Sequence, residues 1–123
     1  EQVDTPATIL DMAGISIPQW MEGRSLVPLL RGKTIDPKPA FSMYLEKNPR
    51  SERITKGTIA VWEGDYKLIH YLESKKSLLF NIVEDPDEVD DLFDKGSKVG
   101  RHLLNLIQSN LRKVNDDFIA EER

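Results

Sequence analysis

Between Gly64 and Leu92 the chain reads as turn, strand, turn, strand and stop, and no other stretch constrains the fold as much. Gly64-Asp65 supplies turn chemistry. Tyr66 to Leu72 is rich in β-forming residues, Glu73-Ser74-Lys75-Lys76 is a polar break, and Leu78 to Ile82 is apolar except for Asn81. Two such runs joined by a short polar link predict an antiparallel hairpin. Asp85-Pro86 ends the second strand, because proline has no N–H for the ladder and restricts the residue before it.

The flanks extend this hairpin into a sheet. Ala40 to Leu45 alternates, with Phe41, Met43 and Leu45 on one face and Tyr44 on the other. Thr58 to Trp62 is a further short strand, so four strands follow in meander order, which favours an antiparallel sheet. Ser97 is placed to cap a last helix. From Val99 onward, Leu103, Leu104, Leu106, Ile107, Leu111, Val114 and Phe118 recur at spacings of three and four and mark one helical face. The expected fold is α+β: a four-stranded antiparallel sheet packed against a long C-terminal helix.

The first part of the chain is of a different kind. Glu1 to Gly14 reads as a short helix, with Asp4 or Thr5 as N-cap, Pro6 in the first turn and Gly14 as the stop. Ile15 to Gly32 is irregular and apolar, and Ser25 is placed to cap one helical turn ending before Gly32. Between Ile9 and Leu30, side chains including Leu10, Met12, Ile15, Trp20, Leu26 and Leu29 offer more apolar surface than so short a segment can cover by itself. They demand a partner, either a further domain or a second copy paired through residues 3–32. Thr34 to Pro39 holds two prolines and no periodicity, so a division is expected between residues 1–39 and residues 40–123.

Charge narrows the function classes. Residues 1–62 carry 8 Lys/Arg and 7 Asp/Glu, whereas residues 63–123 carry 9 and 14. An acidic second half offers no basic footprint for nucleic acid, and no apolar run is long enough to span a membrane. The absence of cysteine removes disulfides, thiolate metal sites and a cysteine nucleophile, and leaves the compartment open.

Three blocks carry a family resemblance. The first is Asp4-Thr5-Pro6-Ala7-Thr8-Ile9-Leu10-Asp11-Met12-Ala13-Gly14-Ile15. The second is Gly23-Arg24-Ser25-Leu26-Val27-Pro28-Leu29-Leu30-Arg31-Gly32. The third joins Gly64-Asp65-Tyr66-Lys67-Leu68-Ile69, Leu79-Phe80-Asn81-Ile82 and Asp85-Pro86-Asp87-Glu88-Val89-Asp90-Asp91-Leu92. In order and spacing they resemble the C-terminal portion of a sulfatase of the alkaline-phosphatase superfamily. Pro6 comes one position early, and Asp91 stands where that family usually has Asn. The resemblance implies that residues 1–39 are the helical edge of a missing α/β catalytic domain, and that residues 40–123 are the C-terminal subdomain. It further implies a parent that hydrolyses a sulfate monoester with one divalent cation, calcium or magnesium, and a formylglycine made from a Cys or Ser in a motif like Cys-x-Pro-x-Arg. No such motif is present here, since Ser16-Ile17-Pro18 is followed by Gln19-Trp20. No catalytic residue, metal ligand or cofactor is therefore expected in this chain, which would complete the fold and line the substrate-pocket rim. The alternatives are a stand-alone interaction module and a fragment of a related phosphate or phosphonate ester hydrolase.

The candidate substrate-binding residues are Lys47, Arg50, Arg53 and Lys56, in the charged loop from Glu46 to Gly57. Sulfate esters are anionic, and guanidinium groups bind oxyanions in bidentate geometry; the competing reading is an exposed loop balanced by Glu46 and Glu52. The acidic run from Glu84 to Asp94 has the carboxylates for a calcium loop, but Asp90 stands where such a loop starting at Asp85 needs glycine. A solvated loop leading to a helix N-terminus is the expectation. His70 shares a face with Leu68 and Leu72 and reads as a structural histidine with one hydrogen bond; His102 reads as a surface residue. Trp20 and Trp62 are assigned to core or interface packing, ahead of stacking on a sugar ring.

Overall fold

The computed structural model describes residues 1–46, 53–93 and 97–121, with side chains described as far as residue 116. The chain divides into two compact units, Glu1–Lys38 and Pro39–Arg123.

In the first unit, α1 (Asp4–Met12) is followed by an irregular segment and the single turn α2 (Val27–Leu30). Side chains of α1 at helical spacing hold the segment that leads into α2. The Asp4 carboxylate accepts the Arg24 N–H at 2.9 Å. The Thr8 hydroxyl donates to the Asp4 carbonyl at 2.7 Å and accepts the Leu26 N–H at 3.0 Å. The Ser25 hydroxyl bonds the Asp11 carboxylate and accepts the Val27 N–H. Asp4, Thr8 and Asp11 lie on one face of the helix, at steps of four and three. The backbone of Gly23 meets the start of α1 so closely that a Cβ there would lie 1.7 Å from the Val3 carbonyl oxygen. Gly14 and Gly32 take left-handed conformations where the two helical elements stop, as a C-terminal glycine should.

One expectation is corrected. Neither Asp4 nor Thr5 is the N-cap: Val3 holds that position without a side-chain bond, and Asp4 lies inside the helix. A buried carboxylate needs hydrogen-bond donors, and Asp4 takes one from the Arg24 N–H, twenty residues away.

The second unit is a meander. β1 (Ala40–Leu45), β2 (Gly57–Glu63), β3 (Tyr66–Tyr71) and β4 (Ser77–Asn81) form one antiparallel sheet in the order β1-β2-β3-β4. The register places Phe41 opposite Val61, Val61 opposite Leu68 and Leu68 opposite Leu79, so one sheet face is apolar from edge to edge. α3 (Lys98–Glu121) lies across that face. Ser97 caps it, its hydroxyl accepting the Gly100 N–H at 3.3 Å. The core is Ile59, Val61, Leu68 and Leu79 from the sheet with Leu103 and Ile107 from the helix, the two helical residues 0% and 1% exposed.

α3 packs on β2 and β3, and this changes what β1 does. Met43 and Leu45 share the core-facing side of the sheet, yet they are 46% and 41% exposed, because the helix passes over the inner strands and not the edge.

The acidic segment is tied down rather than merely solvated. Asp85 accepts the N–H groups of Val89 and Asp90, both at 2.9 Å. Asp91 accepts those of Leu79 and Phe93, both at 3.0 Å, while the Leu92 N–H donates to the Leu79 carbonyl at 2.8 Å. Both outward backbone groups of Leu79 are thereby satisfied on the free edge of β4, which blunts that edge against further strand pairing. One carboxylate oxygen of Asp91 takes both donors, so an Asn oxygen fits the same place. Glu88 adopts φ 55° and pairs with the ammonium of Lys67 through both carboxylate oxygens, at 2.7 and 2.8 Å. That ammonium also sits 5.2 Å from the centre of the Trp62 ring.

Candidate functional site

The charged loop joins the ends of two paired strands, since Leu45 of β1 lies opposite Gly57 of β2. Lys47 and Arg50 lie outside the described residues. Arg53 and Lys56, on the returning arm, are both exposed. Next to Arg53, the Ile54 N–H donates to the side-chain oxygen of Asn115 on α3 at 2.8 Å. Ile54 and Thr55 also form one wall of a groove of about 510 Å³, completed by His70, Leu72 and Lys75 and by Leu104, Gln108 and Leu111 of α3.

His70 lies at the floor of this arrangement, 8% exposed, with Nδ1 at 2.9 Å from the Ser77 hydroxyl. Burial pushes its pKa below the usual histidine value, opposed in part by the Lys76 backbone carbonyl. The sequence predicts a structural histidine with one hydrogen bond; the ring here has two partners, the Ser77 hydroxyl and the Lys76 backbone. His102 is 55% exposed and bonds Glu63 at 2.7 Å, beside a second groove of about 520 Å³ formed by the β2–β3 turn and the start of α3.

Trp62 is partly buried on the outer sheet face, under the Lys67 ammonium. Trp20 is 79% exposed, and Ile9, Met12, Ile15, Leu29 and Leu30 are exposed with it, so of the two expectations for Trp20 the core one is not met within this chain. Of their apolar residues, α1 and α2 bury only Ala7 and Val27 fully, while Leu10, Ile17, Met21 and Leu26 of the first unit are half-buried.

Among the described residues, no three His, Cys, Asp or Glu side chains come together as a group able to hold a metal ion. Asp85 and Asp91 accept backbone N–H groups, and Glu88 pairs with Lys67. The described residues therefore offer no ready-made cluster for a catalytic cation. No helix among the described residues is long and apolar enough to cross a membrane. Sequence reasoning missed Asn115 and the groove beside it, because a single Asn within a helical pattern carries no signal of the backbone it meets 61 residues away.

The fold defines an α+β unit, a four-stranded antiparallel sheet with a long helix, preceded in the chain by a short helical unit. Residues 1–117 match the family described as N-sulphoglucosamine sulphohydrolase, C-terminal, and the chain belongs to that family of sulfatase C-terminal domains. It is 29% identical over 122 residues to an N-acetylglucosamine-6-O-sulfatase of Bacteroides thetaiotaomicron, covering 94% of this chain and 22% of the relative. It is 30% identical over 118 residues to a Δ4,5-hexuronate-2-O-sulfatase of the same organism, covering 94% of this chain and 24% of that one. A protein solved in complex with its substrate D-glucosamine-2-N,6-O-disulfate superimposes with a TM-score of 0.71 and 27% identity over 92% of this chain and 24% of its own. The chain thus spans about a quarter of the length of the relatives it matches.

Proposed function

We propose that this chain is the C-terminal part of a sulfuric ester hydrolase acting on a sulfate monoester carried by a sugar, and that it completes the fold and the substrate-pocket rim without supplying the nucleophile. The observation that carries the reading is the family match across residues 1–117 in a chain about a quarter as long as its sulfatase relatives. The two named relatives act on sulfated sugars, which is the ground for the substrate class. Catalytic residues, a divalent cation (calcium or magnesium) and a formylglycine belong, on this reading, to the remaining three-quarters of the polypeptide. The rim cations are Lys47, Arg50, Arg53 and Lys56, with Arg53 and Lys56 already presented to solvent.

The apolar surface of residues 3–32 is assigned to contact with that catalytic portion. Sedimentation distinguishes the alternative: a homodimer of the 123-residue chain held through Trp20 and Leu29 would mean self-pairing instead. By itself the chain is expected to turn over no aryl sulfate; turnover that survives rigorous purification would overturn the fragment reading. In a longer polypeptide carrying this chain, Arg53→Ala is expected to raise KM for a sulfated amino sugar more than it lowers kcat, as loss of ground-state binding does. Wild-type values of both constants would remove the rim assignment.

A further inference from the structure

We infer that Asn115 is a positioning residue for the substrate-facing loop: its side-chain oxygen fixes the backbone beside Arg53, so that the long C-terminal helix sets where the loop presents its guanidinium group. The inference rests on the rim reading above and adds a residue to it from a different element.

Three observations carry it. The Ile54 N–H donates to Asn115 Oδ1 at 2.8 Å, a tertiary bond spanning 61 residues, and both residues are partly buried. Ile54 lines the same groove as Leu104 and Leu111 of α3, so the returning arm runs alongside that helix at this residue. Asparagine is a poor residue for a helix interior, because its amide competes for backbone groups. Here that amide oxygen reaches outward to the loop.

The consequence for Arg53 is geometric. Its Cα lies one trans peptide, about 3.8 Å, from that of Ile54. Anchoring Ile54 therefore fixes the root of the Arg53 side chain to within one residue. Oxyanion recognition by arginine is directional, and a site held on a rigid element loses less on binding than one on a free loop. The register supports the same view: the loop leaves at Leu45 and returns at Gly57, directly opposite each other, so a tie at Ile54 acts on the last residues of the returning arm.

The test uses Asn115→Ala, which removes the acceptor, and Asn115→Asp, which keeps an oxygen in place. Helix propensity rises in the alanine variant, which offsets the lost bond in global stability, so melting temperature is a weak readout and two others are used. In the 123-residue chain, amide hydrogen exchange at Ile54 is expected to speed up in Asn115→Ala and to stay slow in Asn115→Asp. In the longer polypeptide, Asn115→Ala is expected to raise KM for a sulfated amino sugar about fivefold, the order of one hydrogen bond. Asn115→Asp should restore the wild-type KM, and the Arg53→Ala/Asn115→Ala double variant should be no worse than Arg53→Ala. Unchanged exchange at Ile54, or an unchanged KM in Asn115→Ala while Arg53→Ala is impaired, overturns the inference and leaves the rim reading standing. A double variant whose defect is the product of the two single defects also overturns it, since Asn115 would then act by another route. An Arg53→Ala enzyme with wild-type KM removes the rim reading, and this inference with it.

Discussion

Truncating Leu103 tests the account of the second unit most directly. Leu103 is 0% exposed and is enclosed by Ile59, Val61, Leu68, Leu79 and Ile107. Leu103→Ala removes buried methylene and methyl groups and leaves a cavity, which costs about 2.7–5 kcal/mol depending on how far the surroundings collapse. Collapse is restricted here. β2 and β3, which form the floor beneath the helix, are interior strands hydrogen-bonded on both sides, so neither can rise into the void without breaking a ladder. The upper half of the range is expected, about 4 kcal/mol. For a unit of this size each kcal/mol lowers the melting temperature by roughly 4–8 °C. The variant should therefore melt roughly 15–30 °C below the parent, or not fold at all. Urea denaturation followed by far-UV circular dichroism measures this, with Gln108→Ala as the control because Gln108 is exposed on the same helix and should stay within about 0.5 kcal/mol. A Leu103→Ala loss below about 1 kcal/mol would refute the reasoning, since it would mean the helix does not seal that face in solution.

Other outcomes follow from the same contacts. Asp91→Asn keeps the oxygen that accepts the Leu79 and Phe93 N–H groups and should be close to neutral, whereas Asp91→Ala frees both donors and should cost about 2 kcal/mol by urea titration; equal losses would show that the charge matters rather than the acceptor. Gly23→Ala places a methyl 1.7 Å from the Val3 carbonyl oxygen, so α1 and its following segment should separate, seen as faster proteolysis within residues 1–38 with the second unit's melting unchanged. His70 has a folded-state pKa below its unfolded value of 6.5, so the unfolded chain binds the proton first. Stability should be full above that pH and fall as the pH drops from 6.5 through the lower folded value, and His70→Gln should flatten the slope over that window.

Much of this domain is written locally. The β3–β4 hairpin, the glycine at the β2–β3 turn, the Ser97 cap and the buried face of α3 at Leu103 and Ile107 each depend on residues within a few positions of one another. Their signals are period and turn chemistry, and those survive in a linear string. The exposure of Met43 and Leu45 does not, because alternation assigns them a face but cannot say which strands a helix will cross. Nor do the roles of Asp4 and Asp91, which the sequence reads as a candidate helix cap and a solvated acid. Each instead spends an oxygen on a backbone N–H, 20 and 12 residues away, that only the folded chain brings near. The candidate site divides the same way: its basic residues are visible as a charged loop, while Asn115, 61 residues from Ile54, is brought to that loop by the packing of α3 on β2 and β3. A polar side chain bonded to a distant backbone leaves no periodic mark, because any N–H will satisfy it and the backbone is the same at every residue.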